Sequence, residues 1–136
     1  MTLDEFAARA ITVPFINKGR DWSGWDCWGA VFLFHRDVLC DPVPSYTDDY
    51  QDAGESPASR RGLHDLIASQ MKTWRRVDRP EPGDGVLLNI GGRPIHVGLA
   101  LGGGLMLHTE RKINTVVERL ASPMWARRVE GFYRHG

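Results

Sequence analysis

The stretch SGWDCWGAVFLF, residues 23–34, determines how the rest of this chain is interpreted. A polar, turn-forming start followed by a long apolar run predicts the first turns of a buried helix. Either Ser23 or Asp26 can be the N-cap, because both carry an oxygen that accepts a bond from an unpaired backbone N–H. Both choices put Cys27 in or beside the first helical turn. Free N–H groups and the helix dipole stabilise an anion there, so we expect the thiolate of Cys27 to be favoured.

Cys27 taken alone also has an ordinary interpretation, because a free cysteine usually behaves as a small buried hydrophobic residue. The second cysteine is Cys40. If the helix continues to about Val38, the two cysteines lie roughly 20 Å apart at 1.5 Å per residue, whereas a disulfide needs Cα atoms within about 7 Å. We therefore expect two free thiols, as in a reducing compartment, with Cys40 in a structural role.

Length and charge exclude several classes of protein. The chain has 136 residues, which is enough for one domain, residues 1–136, with a real core. Its 17 basic and 17 acidic residues cancel, so we expect no nucleic-acid partner and no attraction to an anionic membrane. The apolar segment VGLALGGGLML is short and broken by glycines, so we expect no membrane insertion. MTLDEFAARA carries acids where a signal peptide needs positive charge, so we expect no signal peptide.

Periodicity divides the chain into a helical half and a sheet half. We predict a short helix over residues 3–10 and a long acidic surface loop over 41–58, which is either functional or merely solvated. Apolar residues at helical spacing predict a helix from about 58 to 74, ended by RPEPGDG; they are Leu63, Leu66, Ile67, Met71 and Trp74. The runs GVLLNI, PIHVGLAL and GLMLHTE then predict an antiparallel meander, and RRVEGFYRHG a final strand.

Two histidines lie on neighbouring strands of the predicted meander. His96 is in the middle of one strand and His108 is on the next. An odd number of loop residues puts them on one face of the hairpin, whereas a two-residue turn puts them on opposite faces. On one face, His96 can take the proton of a cysteine nucleophile and His108 can orient the ring of His96. The alternative is that each is an ordinary core histidine.

Three motifs in order resemble one enzyme family. WDCWG, then PGDGVLL, then HVGLALGGGLMLH are similar to the motifs of the NlpC-type cysteine peptidases, which are bacterial and phage cell-wall hydrolases. The resemblance implies a papain-like α+β fold, in which an N-terminal helix that carries cysteine packs on an antiparallel β-meander that carries histidine. It also implies that Cys27 is the nucleophile, His96 the base and His108, twelve residues on, the orienting residue. The backbone N–H of Cys27 would contribute to the oxyanion hole.

Details of the motifs resemble the phage and prophage tail-associated branch of that family. These details are DCWG in place of the commoner DCSG, and the closing RVEGFYRHG. The branch implies a peptidoglycan peptide as substrate, phage tail-tip proteins as partners and no cofactor. It also implies a virion tail-tip location after synthesis in the host cytoplasm. Two departures affect substrate binding: Phe15 replaces the tyrosine of a family PY pair, and Trp28 replaces a small serine. We assign substrate binding to Phe15, Asp26 and Trp28.

These features favour a cysteine endopeptidase that cleaves peptidoglycan stem peptides during infection. One alternative is a structural tail-tip component with little or no catalysis, which Phe15 favours and the intact Cys27, His96 and His108 set opposes. Another is a zinc site formed by the same three residues with one open position. No short ligand pair such as C-x-x-C supports zinc, so we predict no metal.

Overall fold

The computed structural model describes residues 1–70 and 73–136. The predicted first helix is present as α1 (Leu3–Ala10), and the cysteine helix as α2 (Cys27–Phe34), which continues into a π-helical turn, His35–Leu39. The third helix of the described residues is α3 (Pro57–Gln70). The strands are β1 (Arg20–Asp21), β2 (Gly24–Trp25), β3 (Trp74–Val77), β4 (Gly85–Ile90), β5 (Arg93–Gly102), β6 (Leu105–Glu110), β7 (Asn114–Arg119) and β8 (Val129–His135).

The main sheet is antiparallel and has the strand order β3-β8-β4-β5-β6-β7. The predicted meander is therefore confirmed, and the predicted final strand, β8, is inserted between β3 and β4. One face of the sheet is covered by α1 and α2, in a core that includes Phe6, Phe34 and Leu99. The other face carries a smaller cluster around Met106 and Trp125. Both cysteines are free, as expected.

The helix predicted from about 58 to 74 is shorter in the structure. It ends at Gln70 in the described part of the chain, and Trp74 opens strand β3 opposite His135 of β8. Met71, predicted to continue the apolar stripe, lies outside the described residues. Trp74 packs edge-on against Trp28, with ring centroids 5.5 Å apart. Sheet pairing and this aromatic contact therefore use Trp74, which helical spacing alone had assigned to α3. No helix of the described residues is both long and apolar enough to cross a bilayer.

The PGDG motif anchors the start of β4 to the end of β8. Asp84 is only 3% exposed. Its two carboxylate oxygens accept from the Arg134 guanidinium, at 2.9 Å from Nε and 2.8 Å from Nη2. Oδ2 also accepts from the backbone N–H of Glu81 at 2.7 Å. This aspartate therefore joins the turn before β4 to the neighbouring strand.

We expect Asp84→Ala to lower the free energy of unfolding by about 1–3 kcal/mol, because it removes the acceptor of a backbone N–H and of the Arg134 guanidinium, which is 27% exposed and regains part of its solvation. Urea denaturation measures this change. Glu81→Gln is the matched control, because that carboxylate is 69% exposed and 3.4 Å from Arg134, and its removal should cost less than about 1 kcal/mol. Equal losses from the two variants would contradict an anchoring role for Asp84.

Candidate active site

The start of α2 is capped by Asp26, which resolves the choice between the two predicted N-caps. Asp26 is 1% exposed, and its Oδ1 accepts from the backbone N–H of Gly29 at 3.0 Å. Ser23 instead hydrogen-bonds to Asp21, at 2.9 Å from its backbone N–H. Cys27 is consequently the first residue of the helix, as the sequence predicts.

Both oxygens of Asp26 are occupied by groups of the protein. Oδ1 also accepts from Arg20 Nη1 at 2.8 Å, and Oδ2 accepts from the backbone N–H of Lys18 at 3.1 Å and from the Tyr50 hydroxyl. Arg20 in turn donates to the carbonyl oxygen of Ser45 at 2.8 Å. The cluster ties the long loop after Cys40 to the start of α2. Asp26 thus anchors this region, and it also lines the cavity beside Cys27, so its predicted contact with substrate stays a prediction.

The environment of Cys27 raises its pKa, contrary to our expectation. The nearby backbone amides of Val97 and Trp28 act to lower the pKa of Cys27. Burial acts more strongly in the opposite direction, and the negative charge of Asp26 adds to it, so that the pKa of Cys27 is raised to about 12. The expectation of a favoured thiolate was wrong, because desolvation of the anion outweighs the amides at the helix start.

Iodoacetamide should therefore label Cys40, which is exposed, before Cys27 at pH 8. Alkylation needs the thiolate, and a raised pKa means that the thiolate of Cys27 is scarce at this pH. The rate of Cys27 alkylation should rise about tenfold for each pH unit between pH 7 and pH 9.5. Mass spectrometry of the labelled peptides measures both rates. A Cys27 rate that levels off below pH 8 would show instead that the thiolate is already formed.

The structure brings the two predicted histidines together. His96 Nε2 and His108 Nδ1 are 3.0 Å apart and share a hydrogen bond. Both residues are buried, at 8% and 1% exposure. Burial and the nearby His108 lower the pKa of His96 to about 3, so its imidazole is neutral at physiological pH. The prediction that these side chains share one face of the hairpin is confirmed.

His96 and His108 share one face of the hairpin, but not because the loop between the strands has an odd number of residues. The turn between the strands has two residues, 103–104, both glycines with positive φ, which suits a tight hairpin turn. Such a turn alone would put His96 and His108 on opposite faces. However, the register shifts between Ala100 and Gly102, which inserts one extra residue into β5. This bulge reverses the alternation once and returns both histidines to the same side.

Cys27 reaches β5 beside His96 without a hydrogen bond to it. The sulfur contacts the backbone amide of Val97, the residue after His96, just outside the pairing with β6 that begins at Leu99. Val97 lines the cavity beside Cys27, whereas the ring of His96 stacks on Trp125, which belongs to the cluster on the other face of the sheet. The structure therefore does not bring the Cys27 thiol and the His96 ring onto one face. Among the described residues, no hydrogen bond joins the thiol to either histidine. The thiol and the imidazole are thus both neutral in this state.

A cavity of about 110 Å³ opens beside Cys27. Its wall is almost entirely aromatic and aliphatic, with contributions from α3, the long loop and the sheet. Trp28 forms part of this wall and is held by a 2.8 Å hydrogen bond from its Nε1 to the carbonyl oxygen of Pro44. The cavity would suit an uncharged group next to the thiol.

Phe15 is not among the residues that line this cavity. Its backbone N–H donates to Asn114 Oδ1 at 2.9 Å, and its ring packs under the Arg111 guanidinium at 4.9 Å. The cavity therefore gives no support to the predicted substrate-binding role of Phe15. A hydroxyl at this end of α2 belongs to Tyr50, which lines the cavity and donates to Asp26. Tyr50 lies in the predicted loop, where no sequence motif marked it.

A second group that sequence analysis missed lies behind His108. The Nε2–H of His108 donates to the Glu118 carboxylate, and Trp125 Nε1 donates to the same Oε2 atom at 2.7 Å. Glu118 follows Thr115, Val116 and Val117 on β7. The acid that follows this apolar run could have been noticed in the sequence. However, the sequence of one strand does not indicate which side chain of a neighbouring strand Glu118 contacts.

The described residues give no support to a zinc site that includes Cys27. The acid and histidine side chains that could share a metal are His96, His108 and Glu110, whose potential ligand atoms lie within 4.8 Å of one another. The facing nitrogens of the two histidines already share a hydrogen bond with each other. The two histidines form a hydrogen-bonded pair on one face of the sheet, and Cys27 lies at the start of the helix on the other face.

A cysteine at the start of a helix and a histidine pair on the adjoining antiparallel sheet define a papain-like α+β fold. The model of the NlpC/P60 family matches residues 12–134 of the chain. The chain belongs to the NlpC/P60 family, whose members are cysteine peptidases and peptidoglycan hydrolases. No curated protein matches the chain.

Solved structures of this fold are similar over nearly the whole chain. The NlpC/p60 domain of the peptidoglycan hydrolase SagA has a TM-score of 0.55 and 20% identity, covering 99% of this chain and 97% of that one. An NLP/P60-family protein from Staphylococcus aureus subsp. aureus Mu50, described as similar to lipoprotein, has a TM-score of 0.64 and 18% identity. The match covers 98% of this chain and 40% of that one. The P60 domain of an antigen from M. avium subspecies paratuberculosis has a TM-score of 0.53 and 17% identity, covering 98% and 93%. At these identities the likeness shows the shared fold.

Proposed function

We propose that this protein is a phage tail-associated endopeptidase that cleaves the stem peptides of peptidoglycan during infection. Family membership supports cell-wall hydrolysis, and the DCWG motif and the closing RVEGFYRHG support the tail-associated branch. The observation that carries the catalytic part is the His96–His108 hydrogen bond, in a chain whose Cys27 is the first residue of α2. The proposed location is the tail tip of the virion, in contact with other tail-tip proteins.

In the proposed mechanism, Cys27 is the nucleophile and His96 the base. His96 Nδ1 takes the thiol proton, and the sulfur attacks the carbonyl carbon of the peptide bond, while the backbone N–H of Cys27 stabilises the oxyanion. The same imidazole then gives the proton to the leaving amine. Water, deprotonated by His96, hydrolyses the thioester, which releases the acid and restores the thiol. The first step requires a rearrangement of the site, because the His96 ring lies on the face of β5 opposite the Cys27 cavity. It also requires a change of environment, because the pKa of His96 is lowered and that of Cys27 is raised in this state.

Digestion of purified cell walls tests the proposed activity. Mass spectrometry of the soluble fragments should reveal new peptide ends after incubation with the wild-type protein, and the masses identify the bond that is cut. Fragments that lack such ends, in a sample whose folding is confirmed by cooperative thermal melting, would favour the structural alternative. That alternative is a tail-tip component that keeps the fold with little or no catalysis.

The proposed tail context needs a separate test. Mass spectrometry of purified virions should detect the chain together with tail-tip proteins, and its gene should lie among tail genes. Cell-wall cleavage by a protein that is absent from virions would retain the peptidase and reject the tail location.

A further inference from the structure

We infer that Glu118 is a positioning residue that sets the tautomers of His96 and His108 and so keeps Nδ1 of His96, the nitrogen used in the proposed mechanism, unprotonated. The inference rests on the proposed function, because it gives His96 the role of base. It extends the proposed Cys27, His96 and His108 set by a carboxylate that touches neither the thiol nor the substrate.

The three side chains form one hydrogen-bonded line across three neighbouring strands. His96 on β5 bonds to His108 on β6, and His108 bonds to Glu118 on β7. Glu118 lies opposite Met106, two residues from His108 along β6, so the line crosses the sheet diagonally. The His108 side chain is fully buried, whereas that of Glu118 is 33% exposed. The line therefore runs from the buried His96 to a carboxylate that reaches solvent.

With both imidazole rings neutral, the chemistry of the three groups allows one arrangement of protons. A carboxylate only accepts hydrogen bonds, so the neutral His108 ring must carry its proton on Nε2, which faces Glu118. Its Nδ1 is then unprotonated and can only accept, so His96 must donate from Nε2. A neutral imidazole has one N–H, and Nδ1 of His96 is consequently the unprotonated nitrogen. Only this tautomer of His96 can take a proton from Cys27 with Nδ1.

Trp125 supports the same arrangement from another direction. Its indole N–H is a donor only, and it donates to the Oε2 atom of Glu118 that also accepts from His108. The Trp125 ring packs edge-on against His108, with centroids 4.7 Å apart, and is 2% exposed. The carboxylate is thus held in place by a rigid, buried partner.

Glutamine at position 118 should disturb the tautomers without removing the side chain. An amide can present either its oxygen or its NH₂ group to His108 Nε2. When NH₂ faces the ring, His108 carries its proton on Nδ1 and donates to His96, which leaves His96 protonated on Nδ1. That species cannot act as the base. Glu118→Asp keeps a carboxylate and should retain more of the correct tautomer.

The test is nitrogen-15 NMR of the histidine rings in the full chain, combined with kinetics on a soluble stem peptide. In the wild type, both rings should be protonated on Nε2. In Glu118→Gln we expect mixed tautomers and a kcat about 10²-fold lower with little change in KM, because removal of a tautomer-setting carboxylate reduces kcat in comparable sites. Glu118→Asp should recover part of the correct tautomer and part of kcat. Glu110→Gln, which changes another acid near the histidines, should leave the tautomers unchanged.

Unchanged tautomers in Glu118→Gln would overturn the inference, and so would a loss of kcat that only follows a loss of thermal stability. The NMR experiment does not depend on wall cleavage. A wild-type protein that shows the expected tautomers but cuts no peptide would therefore reject the proposed function and leave the role of Glu118 in setting the tautomers intact.

Discussion

Replacing Cys27 by alanine is expected to abolish the release of peptides from purified cell walls, with a loss of about 10⁴-fold or more. The reason is that the proposed thioester cannot form without the sulfur, and no other thiol lies in the cavity beside α2. The side chain of Cys27 is small, and alanine differs from it only by the sulfur, so the fold should survive the change. The measurement is the rate of appearance of new peptide ends, followed by mass spectrometry.

Cys40→Ser is the matched control for this experiment. Cys40 is exposed, at the end of the π-helical turn after α2, and should not affect the rate. Full activity of Cys27→Ala would reject the nucleophile assignment. Equal losses from both variants would point to damage to the fold, which thermal melting measures independently.

His96→Ala is expected to reduce turnover about 10³-fold, because removal of the general base leaves a thiol whose pKa is raised by burial. His108→Ala should reduce turnover less, since the base is then present but less often in the correct tautomer. His108→Asn should recover part of the rate, because an amide oxygen can accept the same N–H bond. Initial rates on a soluble stem peptide, with melting temperatures for each variant, measure these differences.

The double variant His96→Ala/His108→Ala completes this prediction. Residues that act as a unit do not contribute additively, so it should be little slower than His96→Ala alone. Equal and additive losses from the two histidines would mean that their 3.0 Å hydrogen bond does not serve catalysis. The structural tail-tip alternative would then gain support.

Local features of the sequence were sufficient to predict several parts of the structure. The polar start and apolar run around Asp26 predicted the cysteine helix because capping and helical burial depend on neighbouring residues. The three apolar runs between glycine turns predicted the meander for the same reason. The ordered motifs indicated the family, and the family model confirms it.

Contacts between distant residues decided the remaining features. Helical spacing carried α3 through Trp74, but pairing with β8 places that residue in a strand. The helix start predicted a favoured thiolate, whereas burial beneath the rest of the fold raises the pKa of Cys27. Neither result follows from residues close in sequence, because sheet pairing and desolvation depend on what packs against them.

The positions of the two histidines depend partly on local sequence and partly on tertiary structure. The sequence by itself determined that His96 and His108 lie on adjacent strands, and left two possible faces. A one-residue bulge near Leu101, rather than the turn length, placed both rings on one face. The fold then set Glu118 and Trp125 behind them, through side-chain contacts across β7 and the segment before β8. Strand alternation can be read from local sequence, but bulges and cross-strand partners are selected by the packing of the whole sheet.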